Sequence, residues 1–307
     1  MALPYVIPYF DAHCDTVTRF RHLRRSEKNH LDLIRLGHYA PAAQVLALWA
    51  PPGLDGDTYF RRLMVTLRRE LDANRDIAAL CTTAAEADAA AKENKIALFL
   101  GVEGANLLGC SVAGLLDAYR KGVRLVTLCW NKDNRLCGAA KDSGSGLTED
   151  GKRFVSACWE KGVAVDLSHA SEKTFWDVIR IASRPVLCSH SNAKSICDHP
   201  RNLTDAQISA VIHNDGCIGL NLCPDFLGRG RNMDAILAHV DHFLCMDARE
   251  NLCLGTDFDG IESLPEGISG VESMETLYEE MLRHRFSEAL VQDIFYNNLH
   301  RFMENAL

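Results

Sequence analysis

Eight short apolar runs recur along this chain, and longer segments with helical spacing lie between most of them. The runs are β-branched or continuously apolar, as in parallel strands buried on both faces, and they cover residues 5–12, 44–50, 96–102, 123–129, 163–167, 185–189, 217–222 and 252–256. Eight alternating strands and helices over 307 residues predict an α/β fold of the (β/α)8 TIM-type barrel class, as in metallo-dependent hydrolases. An open doubly wound sheet is the alternative, but no glycine-rich dinucleotide loop follows the first run.

The intervening segments carry recognisable helix signals. Residues 58–80 place apolar side chains on one helical face. Thr83 and Glu86 form a capping-box pattern at the start of an alanine-rich segment. Gly122 and Gly162 follow two further segments, as glycine does at many helix ends. The predicted helices after position 100 cover residues 112–121, 148–161, 171–181, 204–213, 233–246, 271–285 and 287–306.

No linker, internal repeat or low-complexity segment interrupts this alternation. We therefore expect residues 1–307 to form a single (β/α)8 barrel catalytic domain, and 47% hydrophobic residues suffice for a full core. The net charge of −8 argues against a general nucleic-acid binder, because phosphate binding needs a basic face.

The 12 cysteines follow neither a disulfide nor a zinc-finger spacing, and no CxxC pair occurs. Several lie in predicted buried strands, where a reduced cysteine packs as a small hydrophobic residue, which is typical of a reducing compartment. No apolar run approaches the length of a membrane span, and the segment before His13 lacks the features of a secretory signal. We expect a cytoplasmic protein without a membrane partner.

A histidine and a carboxylate, His13 and Asp15, stand where the first apolar run ends. In an extended segment the side chains of residues i and i+2 point to the same side, so the pair can reach one metal ion. Two residues that are hydrogen-bonded at the start of a loop would give the same pattern. The residues at the other strand ends must therefore distinguish a metal site from such a loop contact.

Four further runs end in side chains of the same kind: Glu103, His169, His190 and Asp257. A barrel brings the carboxyl ends of all its strands to one rim, so we expect these side chains to converge in one pocket. Imidazole and carboxylate donors without cysteine favour catalytic zinc or a similar divalent ion.

We expect two divalent ions in this pocket, with zinc as the preferred metal. His13 and Asp15 would bind one ion and His169 and His190 the other, while Glu103 would bridge them at a separation of about 3.5–4 Å. A hydroxide held between the ions would be the nucleophile. Asp257 would take up its proton and return it.

Seven stretches of the chain resemble the membrane dipeptidase (renal dipeptidase) family of zinc metallopeptidases. They occur in the family's order and span nearly the whole chain, at Asp11–Asp15, Gly101–Gly104, Gly146–Gly151, Val165–His169, Ser189–Ala193, Arg201–Asn202 and Gly255–Gly260. Each stretch alone is weak evidence, but seven in order are specific. We expect a soluble member, because no signal peptide or lipid-anchor signal is recognised, and a bacterial-type one, because the fourth strand ends as in many bacterial relatives.

The resemblance implies a two-zinc centre bridged by Glu103 and hydrolysis of dipeptides, including those with a D-residue at the C-terminal position. It implies that Arg201 binds the substrate's terminal carboxylate, a role suited to a bidentate guanidinium. A homodimer is also implied, because homodimers are usual in the family.

One position departs from the family pattern. Mammalian members end the fourth strand in a histidine that contacts the scissile group, and here Trp130 followed by Asn131 stands in that place. We treat both as candidate substrate-binding residues, although an indole cannot replace an imidazole beside an oxyanion. This departure leaves open a binuclear metal amidohydrolase that acts on a non-peptide or cyclic amide. A catalytically idle binding protein is a third hypothesis, which the complete set of candidate ligands disfavours.

The remaining nine histidines stand in helix or loop patterns without partners, and we expect surface or capping roles for them. Either His30 or His38 is a secondary candidate for lining the pocket. Asp166 could hold a ligand histidine or be a satisfied core residue. Asp259 could support Asp257 or fix the loop in which both lie.

Overall fold

The computed structural model describes residues 6–19 and 22–307, and its central feature is a closed ring of eight parallel strands. The ring runs in the order β1, β2, β4, β5, β6, β7, β8 and β9, and the β1–β9 pairing closes it. The strands are β1 (Tyr9–Cys14), β2 (Ala42–Leu48), β3 (Ala78–Leu80), β4 (Ile96–Glu103), β5 (Val123–Thr127), β6 (Ala164–Asp166), β7 (Leu187–Cys188), β8 (Cys217–Leu220) and β9 (Leu252–Leu254). The prediction of a (β/α)8 barrel is confirmed.

Each ring strand coincides with one of the eight apolar runs. The first predicted strand, 5–12, forms at Tyr9–Cys14, and residue 5 lies outside the described residues. The runs are apolar because the strands are buried on both faces, as β2 and β4 are at every position.

One strand, β3, lies outside the ring and was not predicted. It shows that the expected helix over residues 58–80 is too long. That helix ends at Ala73, where the side chain of Asn74 donates to the carbonyl of Glu70. The chain then turns, and Ala78–Leu80 pairs with β4 outside the ring. Three residues are too few for periodicity to distinguish a strand from a continuing helix. Only the pairing with β4 makes these residues a strand.

Helices follow the strands in the expected alternation. The predicted cap at Thr83 is present, since its side chain accepts from the amide of Glu86. A 3-10 turn precedes α11, and a π-helical turn at Asp293–Asn297 joins the last two helices. The helices are α1 (Thr16–Arg19), α2 (Leu33–Leu36), α3 (Gly56–Ala73), α4 (Ala84–Lys92), α5 (Val112–Arg120), α6 (Glu149–Glu160), α7 (Glu172–Ile181), α8 (Asp205–His213), α9 (Pro224–Leu227), α10 (Met233–Cys245), α11 (Met274–Arg283), α12 (Glu288–Gln292) and α13 (Asn298–Ala306).

The amino-terminal half of the ring is filled by a separate apolar cluster. Phe10 and Phe99 stack inside it with ring centroids 5.5 Å apart. Helix α13 closes this end with Leu299, Phe302 and Met303, which are almost fully buried. The interior is therefore a packed core at this end, and only the carboxyl end of the ring is left for polar side chains.

Among the described residues, none of the helices combines the length and the apolar composition that a membrane span requires.

Candidate metal centre

The six predicted metal-site side chains lie together at the carboxyl ends of the strands. His13 lies on β1, Asp15 follows it, and Glu103 is the last residue of β4. His169, His190 and Asp257 lie two or three positions beyond the ends of β6, β7 and β9. All six are buried, between 1% and 8% exposed, so they face one another rather than bulk solvent.

Glu103 lies at the centre of this group. Its Oε1 atom is 2.9 Å from His169 Nε2, 3.6 Å from His190 Nε2 and 3.7 Å from His13 Nε2. His13 Nε2 is also 3.5 Å from Asp15 Oδ2 and 4.0 Å from Asp257 Oδ1. One carboxylate oxygen thus touches all three imidazoles, as a ligand shared between two ions would.

The donor atoms fit a divalent metal. Two overlapping groups, His13–Glu103–His190 and His13–Asp15–Asp257, bring their ligand atoms within 4.8 Å of one another. His13 Nε2 and Asp15 Oδ1 are buried without a hydrogen-bond partner, and such orphaned polar atoms are rare unless something else binds them. Nitrogen and oxygen donors of this kind suit zinc. The groups cut across the predicted division between two ions, and that division remains a prediction.

Two imidazole rings are oriented by hydrogen bonds on the side away from the cluster. His190 Nδ1 lies 2.8 Å from Ser189 Oγ, which donates to Asp166 Oδ2 at 2.7 Å. His169 Nδ1 lies 3.1 Å from Asn131 Oδ1. With each Nδ1–H donated outwards, the Nε2 lone pairs face the cluster. Asp166 therefore acts on a candidate ligand through Ser189, and Asn131 contacts His169 as well as the cavity.

The loop after β9 has an unusual backbone that places Asp257. This residue has φ of 61°, in the left-handed region that non-glycine residues seldom adopt. Its Oδ2 accepts from Asn221 Nδ2 at 3.1 Å. A Cβ atom on Gly260 would lie 2.2 Å from Asp15 Oδ2 and 2.3 Å from Asp257 Oδ1, so only glycine lets the backbone approach both carboxylates.

Asp259 fixes this loop rather than contacting Asp257. Its Oδ2 accepts from Thr16 Oγ1 at 2.7 Å, and its Oδ1 accepts from the backbone amide of His30 at 2.8 Å. His30 Nδ1 in turn accepts from the amide of Asp259 at 3.0 Å. Of the two interpretations of Asp259, the contacts support the one that fixes the loop.

Burial and neighbouring charges shift the pKa values of the side chains in this cluster, some upwards and some downwards. Burial, reinforced by the charge of Asp15, raises the pKa of Asp257 to about 6 and that of Glu103 well above its usual value. Burial opposes the charged form of His13, but the carboxylates around it outweigh burial and raise its pKa to about 10. For His169 and His190, burial lowers the pKa well below the usual value. A divalent cation among these groups would relieve the repulsion between their carboxylates.

A cavity of about 360 Å³ opens onto the cluster. Trp130, Asn131 and Arg201 line it, so the structure brings all three predicted substrate-contacting residues to the same space. Sequence reasoning missed several other lining residues, among them Trp49, Lys141, His199 and Phe226.

The histidine expectations need correction at two positions. His199 was expected on the surface but lines the cavity, with its ring 4.4 Å from that of Phe226. Its position two residues before Arg201 was the signal that could have revealed it. His239 was also expected on the surface, but it is fully buried. His30 and His38 are not among the residues that line the cavity.

Arg201 presents a buried positive charge without a hydrogen-bond partner among the described residues. Its side chain is 3% exposed, and none of its three guanidinium nitrogens has a hydrogen-bond partner among the described residues. Burial lowers its pKa, although Asp257 and Glu103 oppose that shift. Because buried guanidinium groups are normally satisfied, Arg201 fits an anionic ligand such as a carboxylate.

Solved structures of known proteins share this architecture across the whole chain. A metallopeptidase from Rhodobacter sphaeroides, solved with a phosphinate mimic of the dipeptide L-Ala-D-Ala, is 26% identical, with a TM-score of 0.91 over 99% of this chain and 100% of its own. The dipeptidase AC, a metallopeptidase of family M19, is also 26% identical, with a TM-score of 0.91 over 98% of this chain and 99% of its own.

Sequence relatives lead to the same family. An uncharacterised dipeptidase of Schizosaccharomyces pombe is 31% identical over 215 residues, which is 68% of this chain and 53% of the relative. The family model described as membrane dipeptidase, peptidase family M19, matches residues 2–307. These matches confirm the predicted metal-dependent dipeptidase, and none favours the amidohydrolase alternative. The chain belongs to the membrane dipeptidase family, peptidase family M19.

Proposed function

We propose that this chain hydrolyses dipeptides that carry a free amine and a free carboxylate, including those with a D-residue at the C-terminal position, and that it uses two zinc ions. His13, Asp15, Glu103, His169 and His190 are the proposed metal ligands. Asp257 is the proposed proton carrier. The phosphinate mimic of L-Ala-D-Ala bound by the R. sphaeroides metallopeptidase supports this substrate class.

The observation that carries the proposal is that the cavity lining carries both signs of charge. Asp15, Glu103 and Asp257 contribute carboxylates, and Arg201 contributes a guanidinium group without a hydrogen-bond partner among the described residues. A dipeptide has an amine at one end and a carboxylate at the other, so it can match both. The volume of about 360 Å³ suits a ligand of this size.

The proposed mechanism assigns a different task to each side chain. Bound metal ions would polarise the scissile carbonyl and lower the pKa of a water molecule. Arg201 would bind the substrate carboxylate and so orient the peptide bond towards the cluster. Asp257, which lies 4.0 Å from His13 Nε2 and accepts a hydrogen bond from Asn221, would be placed to accept a proton and pass it to the leaving amine.

Trp130 stands where mammalian members of the family have a histidine, and it would shape the cavity wall rather than transfer a proton. The Trp130 ring packs on Trp49, with centroids 5.0 Å apart, and both line the cavity. These indoles would exclude water from one wall and contact the substrate through their faces. Asn131 would orient His169 in addition to lining the cavity.

We also propose that residues 1–307 form one catalytic domain that acts as a homodimer in the cytoplasm. The ring spans residues 9–254, and α13 packs against its interior, which supports a single folding unit. All 12 cysteines are free thiols, which supports a reducing compartment. Size-exclusion chromatography with light scattering tests the dimer.

The test is a library of dipeptides, with L- and D-residues at each position, assayed with metal-loaded and chelator-treated protein. We expect cleavage only with metal, about two equivalents of zinc per chain, and no cleavage of N-acetylated or C-amidated analogues. Arg201→Met should raise KM for Ala-Ala by about tenfold or more, because a charge-assisted carboxylate contact is lost. The exposed Arg184→Met is the matched control. If metal-loaded protein cleaves no dipeptide, or cleaves capped analogues equally well, the proposal is wrong.

A further inference from the structure

Two cationic side chains lie against the same aromatic ring in the cavity. The guanidinium carbon of Arg201 is 5.5 Å from the centroid of the Phe226 ring, and the Nζ atom of Lys141 is 5.6 Å from it. All three residues line the cavity. Arg201 is buried and accounts for one substrate carboxylate, whereas Lys141 is exposed at the rim of the cavity and is left for a second anionic group.

Lys141 has no anionic partner in the part of the chain that the structure describes. Among the described residues, no carboxylate lies within ion-pair distance of its Nζ atom, and none forms a hydrogen bond with it. Its neighbour Asp142 pairs with Lys132 at 3.6 Å, and Asp225, which lines the same cavity, pairs with Arg231 at 2.9 Å. The nearby acids are thus already engaged, and the positive charge of Lys141 is available to a ligand.

His199 adds no further positive charge beside Lys141. Its ring packs on Phe226, and burial together with the charges of Lys141 and Arg201 lowers its pKa. A neutral imidazole adds no charge to the wall formed by Lys141, His199, Arg201 and Phe226. Asp225 and Asp198 also face His199, but they are paired with Arg231 at 2.9 Å and with Lys194 at 3.7 Å. Lys141 and Arg201 are therefore the cations left to attract a ligand with more than one negative group.

We propose that Lys141 is a specificity-determining residue that favours dipeptides whose C-terminal residue is aspartate or glutamate. This inference rests on the proposed function, in which Arg201 binds the main-chain carboxylate. Lys141 shares the Phe226 ring with Arg201, so it lies on the side of the cavity where the C-terminal side chain would be placed. A flexible lysine can reach either acidic side-chain length, whereas a basic C-terminal side chain would be repelled.

The experiment compares isosteric substrates that differ only in charge: Ala-Asp with Ala-Asn and Ala-Glu with Ala-Gln, each with an L- or D-residue at the C-terminus. The wild-type protein should favour the acid over the amide by about tenfold or more in kcat/KM, mainly through KM, because hydrogen bonds between charged groups are among the stronger ones. Lys141→Met should bring kcat/KM for Ala-Asp down towards that for Ala-Asn and so remove this preference. Lys141→Glu should shift the preference towards Ala-Lys.

Lys132→Met is the matched control, because Lys132 lies on the same loop, is paired with Asp142 and does not line the cavity. It should leave the acid-to-amide ratio unchanged. Calorimetric binding of Ala-Asp and Ala-Asn to chelator-treated protein, which should not cleave them, provides a second readout, and it should show the same preference for the acid and the same loss in Lys141→Met.

Three outcomes would overturn the inference: equal kcat/KM for acid and amide in the wild type, an equal loss on both substrates in Lys141→Met, or a preference that persists in Lys141→Met and disappears in Arg19→Met. The last would assign the role to another cation that lines the cavity. Failure of the proposed function has a different signature, since no dipeptide would then be cleaved while the binding preference would still test Lys141.

Discussion

The two ends of the barrel differ in almost every physical property, although the same strands build both. At the amino-terminal end, Phe10, Phe99 and the side chains of α13 form a packed apolar core. At the carboxyl end, buried carboxylates and imidazoles crowd together, and several polar atoms have no hydrogen-bond partner in the described part of the chain. The first arrangement stabilises the fold, and the second is costly unless a ligand binds.

The difference shows that the residues that stabilise the fold and the residues that form the candidate site lie at opposite ends of the barrel. Strand β4 illustrates this, since Phe99 contributes to the apolar core and Glu103, four residues later, lies at the centre of the candidate metal site. Four residues advance a strand by about 13 Å and return the side chain to the same face. Substitutions at the two ends should therefore have opposite consequences for stability and activity.

The largest expected effect is at the carboxyl end. Glu103→Gln should lower kcat by about a thousandfold or more, because several kcal/mol of metal-dependent stabilisation would be lost. Metal content should fall, while metal-free protein should be no less stable, since a buried carboxylate beside Asp15 and Asp257 is removed. Metal analysis, dipeptide kinetics and thermal unfolding with and without chelator measure these changes.

Glu70→Gln is the control for this substitution, because Glu70 is a buried carboxylate on the outer helix α3 that accepts from the amide of Leu23. It should keep full metal content and activity. Unchanged metal content in Glu103→Gln would contradict the proposed bridging role.

Phe99→Ala tests the opposite end. It should lower the free energy of unfolding by about 3–5 kcal/mol, because a large buried ring is lost from a packed core and a cavity remains. Activity at a temperature where the variant stays folded should match that of the wild type. Urea unfolding and dipeptide kinetics measure both, and Val65→Ala, at a 72% exposed position, is the control. A large fall in kcat at full folding would show that the two ends are coupled.

The smallest of these effects concerns His239, which supports the carboxyl end from helix α10. Its Nδ1 accepts from the amide of Ala193 at 3.2 Å, and its Nε2 lies 3.3 Å from the carbonyl of Leu227. Burial lowers its pKa from 6.5 to about 4. The unfolded chain therefore binds a proton between pH 6.5 and 4 that the folded chain does not, and stability falls as the pH decreases through this window, by about 3 kcal/mol in total.

His239→Gln should make the stability of the protein less dependent on pH in this range. The measurement is urea unfolding of both proteins between pH 4 and 7 in the presence of chelator. His284→Gln, at a partly exposed position, should retain the wild-type slope. Equal slopes in the wild type and His239→Gln would show that His239 does not titrate as described.

Most of the fold could be predicted from local patterns. All eight ring strands were identified, because strands buried on both faces are continuous apolar runs. Strand β3 was missed because three residues at a sheet edge carry no periodic signal, and pairing with β4 alone makes them a strand. The helix over 58–80 was extended too far for the same reason.

The candidate site was predictable where its residues end strands, and less so where they lie on loops. His13, Glu103 and Asp257 were identified from their place after apolar runs. The structure brings the carboxylates of Glu103 and Asp257 within 4.0 Å of His13 Nε2. Lys141 and His199 lie on long loops, whose course over the rim has no counterpart in local periodicity.

The amino-acid sequence alone determined the barrel class, the six metal-site candidates and the family, because each depends on short-range patterns and their order along the chain. Only the tertiary structure decided that Asn131 contacts His169, that Asp259 fixes a loop, and that Lys141 shares an aromatic ring with Arg201. These are contacts between residues far apart in sequence or on irregular loops. Their geometry is set by how the closed ring brings separate loops together, and no local preference encodes that.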